Sequence, residues 1–187
     1  MEQLEPVIAR KNTLPLTKSL AFRLSAMLDA ELLSYRDYMP WADAIIDRLD
    51  HPPAWILDLA VTKLRSEAVR HTRHFAFCEP CDARLSAMNC VDEFVASLYL
   101  HYERRGISWA TLLARAGRDA EARGGRRDCE YFYARLNELE ENDYSEEVER
   151  KQRDGVIADY GELIAAVREV YQAITIFRAR ASESASD

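Results

Sequence analysis

Apolar positions recur at helical spacing along most of this chain, and the stretch from Tyr35 to Val61 organises the pattern. Trp41, Ile45 with Ile46, and Leu49 follow one another as turns of a helix do. Asp37 and Pro40 stand at its start, where a side-chain acceptor and a missing N–H are both tolerated. Asp50-His51-Pro52-Pro53 then resets the chain. Trp55, Ile56, Leu59 and Val61 open a second helix that runs on through Thr62–Ala76, with a break placed near Arg65. A strand over 55–61 is the competing reading, because a short apolar run is not settled by period alone. A linker this short makes the two helices neighbours. Their tryptophans are expected to anchor the core, as is Trp109.

On either side the same period predicts further helices. Residues 1–16 carry Pro6 and Pro15 with little periodicity and read as an arm. Thr17 caps a helix from Lys18 to about Leu33, with Leu20, Leu24, Met27, Leu28 and Leu32 on one face. Asp82 caps a helix over 83–105 with a single apolar face at Leu85, Met88, Val91, Phe94 or Val95, Leu98 and Tyr102. Gly106 stops it as a left-handed residue. Ser108 caps Trp109–Gly117 or slightly beyond, Gly124-Gly125 breaks the chain, and Asp128 caps Cys129–Glu141. Ser145 caps a last helix from Glu146 to about Ala179, with a kink allowed at Gly155 or Gly161. Its residues Tyr160, Ile164, Val167, Tyr171 and Ile174 fall at near-heptad spacing. That spacing suits bundle packing, or a homodimer seam along the C-terminal helix. The expected fold is all-α, a single-domain bundle of six to seven helices over 17–180, with a small polar tail at 181–187.

Composition narrows the function. The 187 residues include 25 Lys and Arg against 32 Asp and Glu, a net charge of −7. A chain so acidic argues against uniform nucleic-acid binding, which needs a basic face. No apolar run reaches the ~18–20 residues of a membrane span. The N-terminus has mixed charges and lacks the apolar core of a signal peptide. Four cysteines without an export signal point to free thiols in a reducing cytoplasm.

Several constellations are candidates for chemistry. Seven acids crowd into 137–149: Glu138, Glu140, Glu141, Asp143, Glu146, Glu147 and Glu149. Such a run is either a solvated helix–turn–helix corner or a patch that steers a basic partner protein. Arg115, Arg118, Arg123, Arg126 and Arg127 flank the Gly-Gly break. They can pair with the chain's own acids or grip phosphate, although no P-loop lysine or preceding strand is present. His71, His74, Cys78 and Cys81 offer metal or redox chemistry, but the two pairs lie too close together to wrap one ion. Asp58 is a single carboxylate in an apolar run; if buried, it would be an acid with a perturbed environment and a possible catalytic group. No HExxH, GxSxG or repeated Glu-x-x-His occurs.

Across Ser34–Leu59, Tyr99–Gly117 (YLHYERRGISWATLLARAG) and Asp128–Glu140 (DCEYFYARLNELE), the chain resembles small, acidic, helical bacterial proteins of the polymorphic-toxin immunity type. The resemblance spans most of residues 34–178 and leaves the Cys78/Cys81 pair outside it. It implies tight binding to a cognate toxin domain, with no inhibitory role attached to particular residues. The expectation is therefore a cytoplasmic binding protein that is no enzyme and needs no cofactor or metal. The seven acids are its contact surface. The alternatives are an enzyme using Asp58 or a sensor using Cys78 and Cys81.

Overall fold

The computed structural model describes residues 14–80, 82, 85 and 89–184, with side chains as far as residue 178. Among these residues the fold is all-helical, with eight helices. They are α1 (Lys18–Asp29), α2 (Tyr35–Ile46), α3 (Ala54–Val61), α4 (Arg65–Phe77), α5 (Cys90–Glu103), α6 (Trp109–Arg123), α7 (Cys129–Glu141) and α8 (Glu146–Ser184). One hydrophobic cluster draws residues from all eight. Helix α1 packs on α4 and α5, α2 on α3 and α8, and α6 lies between α5 and α7.

The break placed near Arg65 is present, between Val61 and Arg65, and it raises the helix count to eight. Thr62 and Leu64 are extended, and the Thr62 carbonyl accepts a 2.6 Å bond from the buried Tyr38 hydroxyl. That bond holds the chain open between α3 and α4. Burial pushes the Tyr38 phenol up to about 12. The 55–61 segment is helix, not strand. Trp41, Trp55 and Trp109 are 2%, 3% and 1% exposed, so all three are core anchors. Trp55 stacks on Phe75 at 5.2 Å between ring centroids.

Other boundaries shift for local reasons. Helix α1 stops at Asp29 because Glu31 is left-handed, φ 63°, and Leu32 N–H turns back to the Met27 carbonyl at 2.9 Å. Helix α2 is capped by Ser34, not Asp37. Asp37 occupies the first turn and accepts from Ser34 N–H at 2.8 Å, the back-reaching arm of a capping box. Pro40 therefore sits inside the helix, where it removes one backbone bond. The helix predicted from residue 83 begins at Cys90, after Asn89 accepts from Val91 and Asp92 N–H. Residues 83, 84 and 86–88 lie outside the described residues, as do 1–13. The left-handed residue after α5 is Arg105, φ 60°, not Gly106. Gly106 instead makes room for His101, whose ring carbon would stand 2.0 Å from a Cβ there. Helix α6 runs past Gly117 to Arg123, where Gly124 takes φ 69°. A Cβ at Gly117 would lie 2.7 Å from the Tyr133 ring, which sets how closely α6 and α7 approach.

Helix α8 is continuous for 39 residues through Gly155 and Gly161, roughly 58 Å at 1.5 Å per residue. Its near-heptad row Tyr160, Ile164, Val167, Tyr171 and Ile174 is buried within the chain. The row is thus occupied by bundle packing, mainly against α5 and α2.

Helix α5 departs most from its expected single apolar face. Every residue from Val91 to Leu100 is buried, Asp92 and Glu93 included. Glu93, 1% exposed, accepts two 2.8 Å bonds from Arg23 of α1. Asp92 accepts from Arg126 N–H at 2.8 Å. Two buried carboxylates thus pin α5 to α1 and to the loop before α7. Arg23→Met is expected to destabilise the protein by about 2–4 kcal/mol, because Glu93 is left buried without its partner. Arg23→Met combined with Glu93→Met should recover most of that loss. Urea unfolding of the two variants measures both.

Candidate protein-binding corner

The seven predicted acids meet at the turn between α7 and α8. Asp143 and Tyr144 are successive left-handed residues, φ 49° and 56°. Tyr144 N–H donates to the Leu139 carbonyl at 2.8 Å, and Ser145 N–H to Asn142 at 3.0 Å. Leu139 is buried and anchors the end of α7, while Tyr144 stands 57% exposed at the tip. The turn is thus a defined structure with an aromatic ring among carboxylates. Glu146, Glu147 and Glu149 occupy the first turn of α8, where the helix dipole favours negative charge.

The acids are not equivalent. Glu138 accepts from Gln152 at 2.8 Å. Glu149 is half-buried and accepts from the Tyr102 hydroxyl. Glu147 pairs with Lys151 at 3.0 Å, which holds its carboxyl below the usual range. Glu140, Glu141, Asp143 and Glu146 are exposed and form no ion pair among the described residues. Glu138 and Glu149 therefore belong partly to the scaffold, and the charge without an ion pair lies on Glu140, Glu141, Asp143 and Glu146.

A buried amide that periodicity does not reveal sets the corner's position. Gln152 of α8 accepts from Trp109 Nε1 at 2.9 Å and donates to the Arg135 carbonyl at 2.9 Å. With its bond to Glu138, it ties α6, α7 and α8 together at the base of the turn. From the sequence it reads as one more polar residue on an exposed helix. The only available signal is its place four residues before Val156 on the buried row.

The basic stretch meets the chain's own acids, though not those of the corner. Arg115 donates to the Asp29 carbonyl at 3.0 Å and lies over the Phe94 ring. Arg123 pairs with Asp119. Arg127 grips Asp159 with bonds of 3.0 and 2.7 Å, and the Tyr131 hydroxyl adds a third at 2.8 Å. Arg126 donates to the Asp159 carbonyl and lies over Tyr160. Arg118 is exposed. The guanidiniums are thus largely spent on acids and aromatic faces, an arrangement that Arg serves better than Lys.

The alternative sites have less structure. Asp58 is not buried: its side chain is 49% exposed and sits 3.3 Å from His71. The burial that a catalytic acid here would need is missing, because Asp58 lies on the outer side of α3, beside exposed Leu57 and Val61. Cys78 lies 3.3 Å from Lys18 Nζ and donates to the Phe75 carbonyl. Cys81 lies outside the described residues. Among the described residues, no three His, Cys, Asp or Glu side chains form a group able to hold a metal ion. No helix among them is long and apolar enough to cross a membrane. Comparison with family models, curated proteins and solved structures returned no match.

The Asp159 cluster gives a pH test of how the basic stretch is neutralised. The Arg127 bonds hold the Asp159 carboxyl below its ordinary 3.8, and Tyr131 assists. Its contribution to stability is full above that ordinary value and disappears as pH falls through the lower folded value. Asp159→Asn is expected to be less stable than wild type at pH about 6 and to converge with it below pH about 3. Thermal melts across that range measure the convergence.

Proposed function

We propose that this protein is a cytoplasmic binding module, folded as one domain, that neutralises a cognate toxin by covering it with the α7–α8 corner. One observation carries the reading. Glu140, Glu141, Asp143 and Glu146 enter no ion pair among the described residues, whereas Arg115, Arg123, Arg126 and Arg127 are held by the chain's own acids, carbonyls and aromatic faces. A patch of one sign on a fixed turn attracts a partner of the opposite sign and orients its approach. Tyr144 supplies an exposed aromatic contact, a residue type enriched where partners bind. The resemblance to immunity proteins suggests the kind of partner, a toxin domain with a basic face. Blocking such a domain requires no catalysis by this chain.

The test is association kinetics with the native partner after Glu140, Glu141, Glu146 and Glu147 are changed together to Lys. The on-rate at low salt is expected to fall by roughly tenfold or more, and its salt dependence to flatten. Unchanged kinetics in a variant with the wild-type melting temperature would remove the corner as the contact surface.

A further inference from the structure

At the opposite end of α8 the apolar row of α2 continues past the end of its helix. Trp41, Ile45 and Leu49 recur four residues apart. Trp41 is buried against Trp55, whereas Leu49 remains 41% exposed. Phe177 of α8 and the segment carrying Leu14 and Leu16 complete a cavity of about 160 Å³. A space of about 150 Å³ with apolar walls is enough to hold benzene.

The chemistry of this cavity is asymmetric. Among the described residues of its lining, Arg48 alone carries a charge, and it is exposed. Its guanidinium lies 5.9 Å from the Phe177 ring centroid and enters no ion pair among the described residues. Apolar walls with one cation select a ligand that is apolar at one end and anionic at the other.

We propose that this cavity binds a small monocarboxylate of roughly six to eight carbons, aliphatic or aromatic, a size set by the volume. Its hydrocarbon end lies against Trp41, Ile45 and Phe177, and its carboxylate meets Arg48. The site is independent of the acidic corner and of the partner bound there.

The test titrates the full-length protein with sodium hexanoate, following tryptophan fluorescence and the methyl resonances of Ile45 and Leu49. Hexanol and hexylamine serve as the uncharged and cationic comparisons. Saturable binding of hexanoate is expected near the millimolar range that about eight non-hydrogen atoms can support. It should be about tenfold tighter than that of hexylamine, as a charge-assisted contact requires. Arg48→Gln should lower hexanoate affinity by about the same factor and leave hexanol unchanged. Ala44→Phe, which fills the cavity, should abolish both. Absence of saturable shifts at these methyls, or equal binding of the amine, would overturn the assignment. So would a dimer that Ala44→Phe dissociates, since a second copy would then occupy the cavity.

Discussion

Helix α5 is buried on all sides along most of its length, yet it begins with two carboxylates, and the surrounding fold must satisfy both. An unpaired buried carboxylate is far more destabilising than most single contacts are stabilising. Arg23 reaches Glu93 from α1, and the loop before α7 reaches Asp92 through Arg126 N–H. Both partners are remote in sequence. They fix which helix lies on each side of α5 and how far along it. Gly125 fits the same requirement, because a Cβ there would stand 3.0 Å from Val91 and 3.3 Å from Asp92 Oδ1.

The consequences reach the surface. The chain carries fewer cations than anions, and the structure uses many of its arginines internally. Arg23, Arg73, Arg123, Arg127, Arg168 and Arg178 each pair with a carboxylate. Others lie over aromatic rings, such as Arg135 over Tyr131 at 3.5 Å and Arg104 over Tyr171 at 4.4 Å. The acidic turn between α7 and α8 therefore keeps much of its charge uncompensated. Gln152 holds that turn against Trp109, so the charge is displayed on a fixed support.

Helix existence was legible from periodicity and caps. Thr17, Ser108 and Asp128 cap the helices that their positions predict. Long-range polar contacts were not legible. Tyr38 breaks the α3–α4 helix through a carbonyl 24 residues away, which no local window contains. Asp92 and Glu93 fell inside the helix predicted over 83–105, off its expected apolar face. Small Ala96 and Ser97 on the far face gave the only sign that α5 is enclosed. At the corner, the acids were plain in the sequence, but their division into scaffold and surface was not. Glu138 and Glu149 look the same as Glu140 and Glu141 until Gln152 and Tyr102 are brought beside them. Asp58 misled because an acid within apolar neighbours suggests burial, whereas α3 leaves Leu57 and Val61 exposed as well.

The central claim is that uncompensated carboxylates on a fixed turn recognise a basic protein. Affinity capture from the cells that make the protein tests it most directly. Wild type and a variant with lysine at residues 140, 141, 146 and 147 would be compared side by side, with the captured chains quantified by mass spectrometry. The account predicts one stoichiometric partner with a basic face on the wild type and its loss from the variant. The same partner held in equal amount by both proteins would contradict it.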